Sequence, residues 1–400
     1  MNDQYTNREK MEQEIQSFSE QVDSLDSSEL PTANIMVAGI TGSGKSTLIN
    51  AVFGADFAET GIGCPVTQDI SEYSSENFPV RIWDTVGLEL DAETTMKSIQ
   101  DIKERIAQKA VSKNPFDRIH AIWYCVNSRS NRYQGAELDF ISNLHTIGVP
   151  FIIVMTQCIG MEEEVDAFEH EIRKINSNIG LDDVEVVQVC AKEFKMRGVP
   201  PILAFGLDDL VKLTTGKLPE FIKSGFVAAQ KVSKVQKREV CEDIIVSCVK
   251  DAKEGFFDKI PLVNIFSANN RISNMFKKIG KVYNAQIPEE SIEKIADESS
   301  LDFPNIFFGL ISPIDFGYNK KIMALLNSKK GEEGFSVDVG TLAKSDRVAV
   351  MIAFYGYTFI DSVEELWEKL TESQLKDIDM VCNNLIDIIN RRLKEKRAGH

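Results

Sequence analysis

The segment Gly39–Ser46 reads GITGSGKS, which follows the spacing G-x-x-x-x-G-K-(S/T). An apolar run, Asn34–Ala38, precedes it directly, and an amphipathic segment, Lys45–Phe53, continues from it. A glycine-rich turn between a strand and a helix directs backbone N–H groups and the positive end of the helix toward a phosphate. The segment therefore predicts a nucleotide phosphate site, in which Lys45 bridges two phosphates and the Ser46 hydroxyl binds Mg²⁺.

A magnesium site also needs a carboxylate, and Asp84 supplies one at the end of a second apolar run. We expect Asp84 to hold Mg²⁺ through water and the Gly87 amide to sense the γ-phosphate. In the flexible stretch Gly61–Thr67, the Thr67 hydroxyl would add to the metal and its amide to the γ-phosphate, so a triphosphate would order this stretch. The predicted metal ligands are Ser46, Thr67 and Asp84. The residues predicted to act on the γ-phosphate are Lys45, Thr67 and Gly87.

These residues need a sheet to position them. The strand candidates are Asn34–Ala38, Asp69–Tyr73, Val80–Asp84, Arg118–Val126, Phe151–Thr156 and Val184–Cys190. Amphipathic segments alternate with most of them, and several are apolar on both faces, which is typical of a parallel sheet between two helix layers. The pattern predicts a doubly wound α/β domain.

The rest of the chain has helical periodicity. Residues 1–30 carry one apolar stripe, formed by Met11, Ile15, Phe18, Val22 and Leu25. We expect this amphipathic helix to pack on later helices rather than to dimerise. Ser362-Val363-Glu364-Glu365 predicts a capping box that begins a helix. The predicted domains are the N-terminal helix (1–30), the nucleotide-binding domain (31–225) and an all-α domain (226–400).

Composition limits the function. The chain has 400 residues and a formal net charge of −16, which argues against a general nucleic-acid surface. Its seven cysteines are widely spaced, which predicts buried free thiols in a reducing compartment. The acidic start indicates no secretory leader, and the longest apolar stretches are too short to span a membrane. We expect a cytoplasmic protein, with contact to a membrane surface left open.

In this order the motifs resemble those of translation-factor-related P-loop GTPases, and particularly the Era-like branch. The resemblance covers residues 33–225 and matches Gly39–Ser46, Thr67 and Asp84–Gly87 to the first three family motifs. It implies a six-stranded, mostly parallel sheet with an antiparallel second strand, GTP and GDP with Mg²⁺ as cofactors, and hydrolysis of GTP to GDP and phosphate. The residues it implies for nucleotide binding are Gly39, Ile40, Thr41, Gly42, Ser43, Gly44, Lys45, Ser46, Thr47, Thr156, Gln157, Ala191 and Lys192.

Two further segments concern recognition of the nucleotide base. The family has Asn/Thr-Lys-x-Asp after the fifth strand, and its Asp accepts hydrogen bonds from guanine N1 and N2. Here the segment is Thr156-Gln157-Cys158-Ile159, so Thr156 matches and Ile159 stands at the Asp position. Cys190-Ala191-Lys192 is similar to the Ser-Ala-Lys loop, whose Ala amide contacts guanine O6. The resemblance implies GTP rather than ATP, bound with weakened affinity.

The residue after Gly87 is Leu88, where many of these GTPases have a glutamine that orients water. Slow turnover is expected, with acceleration by dimerisation or a partner; Arg129 and Arg132 are either charge donors for that step or solvated loop residues. In plan the chain is similar to Era-like GTPases with a C-terminal helical domain and to immunity-related GTPases. That similarity implies a switch or assembly protein, with a homodimer through the G domain and membrane contact through the helical domain. A non-hydrolysing nucleotide-binding scaffold and an ATPase of similar fold are the alternatives.

Overall fold

A computed structural model gives the structure of the chain. It describes residues 30–54, 64–67, 70–75, 78–85, 100, 102–104, 106–109, 112, 114–130, 133, 136–146, 148–254, 271–285, 287–298, 314–315, 320–325, 329–331, 334–337, 342 and 344–398. The predicted N-terminal helix, Gly87, Leu88 and Arg132 lie outside these residues. The chain divides into two compact units, with the boundary between Gln236 and Lys237.

A mixed sheet forms the centre of the first unit. Its strands are β1 (Ala33–Ala38), β2 (Cys64–Thr67), β3 (Ile70–Ser75), β4 (Phe78–Thr85), β5 (Ala121–Asn127), β6 (Phe151–Thr156) and β7 (Glu185–Gln188). The order is β2-β3-β4-β1-β5-β6-β7, and all neighbours pair in parallel except β3, which is antiparallel to β2 and β4. This confirms the doubly wound, mostly parallel sheet with one antiparallel strand. The edge strand β2 is a seventh strand in a stretch that was expected to be flexible.

Burial on both faces explains the parallel pairing of the central strands. Every residue of β1 and β6 is buried, as the uninterrupted apolar runs predict. The helices of this unit are α1 (Lys45–Phe53), α2 (Ala136–His145), α3 (Glu162–Asn178), α4 (Leu207–Lys217) and α5 (Glu220–Ala229). Residues 100, 102–104 and 106–109 are also helical. Successive side chains of β5 point to opposite faces of the sheet, so they pack against the helices on both sides.

Trp123 of β5 anchors one of these layers. Its ring stacks on Phe53 of α1 at 5.9 Å between centroids and meets Phe226 of α5 edge-on at 6.3 Å. Its indole Nε1 donates to Thr214 Oγ1 of α4 at 3.0 Å. On the opposite face of the sheet, Tyr124 belongs to the core that includes Ile172 of α3. The helix α1, which follows the glycine-rich loop after β1, is therefore fixed to the sheet by aromatic packing.

The second unit is helical, as predicted for this region. Its helices are α6 (Lys234–Lys253, which contains the unit boundary), α7 (Arg271–Val282), α8 (Glu289–Glu298), α9 (Lys320–Leu325), α10 (Lys344–Lys369), α11 (Glu372–Leu375) and α12 (Ile378–Ala398). The all-α prediction needs a correction here, because the unit also contains an antiparallel sheet made of β8 (Ile314–Asp315), β9 (Lys329–Gly331) and β10 (Gly334–Val337). These strands are too short to produce an alternating sequence pattern. Within the described residues, no helix combines the length and the apolar character needed to cross a bilayer.

The capping box expected at Ser362 is wrong. Ser362 lies inside α10, and its hydroxyl donates to the Thr358 carbonyl at 2.7 Å, a bond that a serine in a helix interior makes. The following acidic residues pair with arginines: Glu364 with Arg238 at 2.8 Å and Glu365 with Arg392 at 2.9 Å. The described capping box lies at Thr371, at the start of α11.

His120 and Asn34 join the beginnings of β5 and β1. The Asn34 amide donates to His120 Nδ1 at 2.9 Å, so the ring proton is on Nε2, which donates to the Pro115 carbonyl at 3.0 Å. The Asn34 side chain donates to the Phe116 and Arg118 carbonyls at 2.7 Å each. Burial lowers the pKa of His120 from 6.5 to about 4, so the imidazole stays neutral in the folded protein.

This arrangement predicts a pH dependence of stability. The unfolded chain takes up a proton at His120 below about pH 6.5 and the folded chain only near pH 4, so the free energy of unfolding should fall by about 3 kcal/mol across that interval. Urea unfolding of the wild type and His120→Gln at several pH values measures this loss. The variant should be less stable at pH 7 and should lose less stability on acidification. His170→Gln, an exposed site, is the control; equal pH slopes in wild type and His120→Gln would contradict the assignment.

Candidate nucleotide-binding site

The loop between β1 and α1 has a backbone that requires glycine. Gly39 has φ of 145°, and a Cβ there would lie 2.5 Å from the Cys125 carbonyl oxygen of β5. Gly44 is the N-cap of α1 with φ of 87°. No described side chain caps this helix, and its first turn has no acidic residue. The N–H groups at the start of α1 therefore remain available to an anion.

Lys45 lies across this loop. Its Nζ donates to the Gly39 carbonyl at 2.9 Å and to the Ile40 carbonyl at 3.3 Å. Burial lowers the pKa of Lys45, and the charge of Asp84 opposes that shift. Ser46 and Thr47 follow on the exposed side of the first turn of α1, and Thr41 is exposed in the loop. The ammonium group is thus held at the site by carbonyls of the loop itself.

Asp84 comes to the loop through the sheet, because β4 pairs with β1 in a register that places Asp84 opposite Val37. Burial raises the pKa of Asp84 to about 6, and Lys45 opposes the shift. Its Oδ1 is buried and has no hydrogen-bond partner among the described residues. A buried carboxylate oxygen without a partner is unfavourable, and a cation would satisfy it. The Asp84 carboxylate therefore fits a Mg²⁺ ion, and Ser46 stays a predicted ligand. Thr67 pairs with Ile70 through its backbone in β2, but its side chain is outside the description.

Two residues after β6 hold the other side of the loop. Thr156 Oγ1 donates to the Ser43 carbonyl at 2.5 Å and lies 3.3 Å from the Val126 carbonyl of β5. Gln157 Nε2 donates to the Gly42 carbonyl at 3.0 Å. Both residues were predicted to bind nucleotide, and the structure places both against the phosphate-binding loop.

Two residues at the end of β5 were missed by the sequence analysis. Asn127 Nδ2 donates to the Gly42 carbonyl at 3.4 Å, and Ser128 Oγ donates to the Gln157 carbonyl at 2.8 Å. The signal for them was the change from an apolar run to polar residues at the carboxyl end of β5, an end that faces the loop in a parallel sheet. Arg129 follows in an exposed position, and its proposed role stays a prediction.

The segment after Thr156 is adjacent to the loop that contains Ala191 and Lys192. The Cys158 amide donates to the Val189 carbonyl at 3.3 Å, which joins the two segments. Ala191 is half-buried and Lys192 is exposed. The Ile159 amide donates to the Gln157 carbonyl at 2.8 Å, and Gln157 has φ of 54°. The two predicted base-reading segments therefore lie side by side.

The polar groups of residues 156–159 are largely occupied within the protein. The Thr156 hydroxyl and the Gln157 amide nitrogen bind the phosphate loop, and Cys158 Sγ donates to the Met155 carbonyl at 3.3 Å. Burial raises the pKa of the Cys158 thiol to about 11. Ile159 brings no polar side-chain atom. Within this segment, no carboxylate is available to accept hydrogen bonds from a purine.

Comparison with known proteins agrees with this geometry. The model of a family described as 50S ribosome-binding GTPase matches residues 34–157. No curated protein is significantly similar in sequence. Among solved structures, the chain is similar to a probable GTP-binding protein EngB, with 20% identity, 48% of this chain and 99% of that chain covered, and a TM-score of 0.32.

Two other solved structures give comparable values. An Era variant from Aquifex aeolicus bound to GDP and AlF4⁻ has 17% identity and a TM-score of 0.32, with 48% of this chain and 58% of that chain covered. The G domain of the T. maritima FeoB iron transporter has 15% identity and a TM-score of 0.30, with 46% and 98% covered. The family match spans the phosphate-binding loop, Asp84 and Thr156. Residues 34–157 are therefore similar to a GTPase domain, in the part of the chain that carries the loop between β1 and α1.

Proposed function

We propose that this chain hydrolyses GTP to GDP and phosphate with Mg²⁺, slowly alone and faster when dimerisation or a partner supplies a further group. In this proposal the chain is a nucleotide-dependent switch or assembly protein whose helical domain responds to the nucleotide. The observation that carries the proposal is the half-buried Asp84, whose buried Oδ1 has no hydrogen-bond partner among the described residues and whose charge interacts with that of Lys45. These are the two charges that a magnesium-bound triphosphate would neutralise.

In this proposal, each residue of the site has a separate role in binding the triphosphate and Mg²⁺. The loop amides and the start of α1 hold the β-phosphate. Two of the three N–H groups of the Lys45 ammonium donate to loop carbonyls, so the third can donate to a phosphate oxygen. Ser46, Asp84 and Thr67 hold Mg²⁺, which when bound supplies positive charge to the phosphate oxygens. The Thr67 and Gly87 amides sense the γ-phosphate.

Base recognition is proposed to rest on the loop that follows β7. The Ala191 backbone N–H would donate a hydrogen bond to the 6-oxo group of guanine. Adenine lacks this oxo group, so the bond would distinguish the two bases. Because the described segment 156–159 has no carboxylate for guanine N1 and N2, affinity for GTP should be weakened. A missing hydrogen-bonded acceptor costs about 1–3 kcal/mol, or roughly ten- to a hundredfold in affinity.

Two alternatives remain distinct from a GTPase switch. Leu88 and Ile159 would permit a scaffold that binds nucleotide chiefly to stabilise an interaction surface, with little or no hydrolysis. An ATPase of similar fold is the other alternative. The domain limits 1–30, 31–225 and 226–400 and the cytoplasmic location stay predictions, as do the G-domain homodimer and the membrane contact of the helical domain. The candidate for that contact is the basic stretch 391–397, which reads RRLKEKR. One of its arginines is already engaged within the protein, because Arg392 pairs with Glu365.

Phosphate release tests the activity. In single turnovers, wild-type protein should release phosphate from GTP when Mg²⁺ is present, and more slowly or not at all from ATP. Lys45→Ala should weaken GTP binding about 30-fold, because loss of a charge-assisted contact costs roughly 2 kcal/mol. The exposed Lys174→Ala is the control. Release from neither nucleotide would leave the scaffold alternative, and faster release from ATP would overturn the guanine assignment.

Asp84→Asn should raise the free energy of unfolding of the nucleotide-free protein and lower the dependence of GTP binding on Mg²⁺. At pH 7 the wild-type carboxylate is charged although burial raises its pKa to about 6, so a neutral side chain should stabilise the nucleotide-free protein by about 1–3 kcal/mol. The same change should remove most of the gain in GTP affinity that Mg²⁺ provides. Urea unfolding and titration calorimetry with and without Mg²⁺ measure the two effects. Asp208→Asn, on the exposed first turn of α4, is the control; an unchanged Mg²⁺ effect would exclude Asp84 as the metal carboxylate.

Inosine triphosphate tests base reading, because hypoxanthine keeps the 6-oxo group of guanine and lacks its 2-amino group. With no carboxylate at position 159, the affinities for GTP and inosine triphosphate should agree within about threefold. Ile159→Asp should raise the preference for GTP at least about tenfold by accepting from N1 and N2. Competition binding with both nucleotides and ATP gives the ratios, and Ile159→Asn is the matched control. A strong preference of the wild type for GTP would mean that another residue supplies the acceptor.

A further inference from the structure

The chain between β7 and α4 turns back on itself as a hairpin. The Cys190 and Phe205 backbones exchange hydrogen bonds at 3.1 and 3.0 Å, and the Phe194 and Ile202 backbones do the same at 2.9 and 3.0 Å. Both pairs are antiparallel. We call residues 192–205 the β7–α4 hairpin. Its last residue, Phe205, therefore lies beside the loop that was predicted to read the base.

The backbone on both sides of Phe205 is held in place. Gly206, the next residue, has φ of 75°, and a Cβ there would clash with the Gln188 carbonyl oxygen of β7. Only glycine permits so close an approach to the strand. Gly206 is also the N-cap of α4, and its carbonyl accepts from the Leu210 amide at 3.1 Å. Phe205 is thus fixed between a paired backbone segment and the start of a helix.

The side chain of Phe205 is exposed although its backbone is fixed. Phe205 is 42% exposed, and it is the one aromatic residue among the large apolar residues that are exposed in the described part of the chain. One exposed apolar residue is ordinary at a protein surface, so its position must show what it does. Here the position is next to the segments proposed to bind the base.

Three neighbouring segments lie in a row at this end of the sheet. The Cys158 amide donates to the Val189 carbonyl at 3.3 Å, so the segment that contains Ile159 adjoins the loop that contains Ala191. The residue after Val189 bonds to Phe205 on the opposite side, because consecutive residues of an extended chain direct their backbone groups to opposite sides. The loop that contains Ala191 therefore lies between Ile159 and the β7–α4 hairpin.

These segments offer a base mainly apolar contact. Ile159 and Ala191 are half-buried and bring no polar side-chain atom. The Gln157 amide nitrogen is occupied by the Gly42 carbonyl of the phosphate-binding loop. With no carboxylate in the described segment 156–159, contact area and the Ala191 N–H are the features that can hold a base here.

We propose that Phe205 is a base-binding residue, whose ring packs against the purine of the bound nucleotide. Stacking on an aromatic side chain needs no particular pattern of donors and acceptors, because every base has a π-face. The ring would add affinity for any purine, and the Ala191 N–H would add the preference for a 6-oxo group. The inference rests on the proposed function only in that a nucleotide occupies the site, and it needs no hydrolysis.

Phe205→Ala tests the ring in the full chain. In titration calorimetry, the dissociation constant of magnesium GTP should rise about tenfold, and those of the magnesium complexes of ATP and inosine triphosphate should rise by a similar factor. Magnesium tripolyphosphate, which has no base, should bind the wild type and the variant equally. Met196→Ala is the matched control, because Met196 is 57% exposed on the same hairpin and should not affect any of these affinities.

Phe205→Trp reads the contact directly. An indole also stacks on purines, so the affinity for GTP should stay within about threefold of the wild-type value. The emission that the new indole adds to that of the wild type should fall when GTP binds, because a stacked guanine quenches indole fluorescence. Tripolyphosphate should leave this emission unchanged.

Unchanged GTP affinity in Phe205→Ala would overturn the proposal. An equal loss of affinity for GTP and for tripolyphosphate would also contradict it, because the ring would then support the phosphate-binding loop rather than the base. A wild type that binds tripolyphosphate as tightly as GTP would show that the base adds nothing, which refutes a base-binding role for Phe205 and leaves the phosphate site standing. A wild type that binds neither compound would overturn the proposed function itself, and this inference with it.

Discussion

The hydroxyl of Thr156 joins the phosphate-binding loop to the sheet. It donates to the Ser43 carbonyl and lies near that of Val126, so the loop and the ends of β5 and β6 share one donor. On the other side, Gly39 brings the backbone so near the Cys125 carbonyl that no side chain would fit. A loop held at both sides keeps its amides in position before a ligand arrives, and this preorganisation lowers the free-energy cost of binding.

The fixed loop also explains why two charged groups of the site, Lys45 and Asp84, are partly removed from water. Burial lowers the pKa of Lys45 and raises that of Asp84, so each group is less stable as an ion than it would be in water. Stability is given up at the point where a phosphate and a cation would restore it. A chain with a net charge of −16 can in this way bind a polyanion at one place without offering a basic surface.

Local patterns decided which parts of the structure were predictable. The limits of α1 and β6 agree with prediction, because a glycine N-cap and an unbroken apolar run are signals that neighbouring residues carry. The strand β2 and the small sheet β8–β10 depend on pairing with distant residues, and the Ser362 cap failed because packing continues α10 past it. In the candidate site, motifs pointed to the loop, Asp84 and Thr156, which the structure brings together; that they bind nucleotide and metal stays a prediction. Asn127 and Ser128 act through the register of β5 and β6, which no motif records.

The stacking of Trp123 on Phe53 gives the protein an internal optical reporter. Phe53 ends the helix that begins at Lys45, so any axial or tilting movement of α1 on nucleotide binding must alter the packing around a fully buried indole. The Thr214 hydroxyl of α4 also accepts a hydrogen bond from that indole, so a movement of α4 would change the surroundings of the ring as well. Once Trp83 and Trp367 are replaced, the emission of Trp123 in β5 would therefore report movement of α1 without an added label.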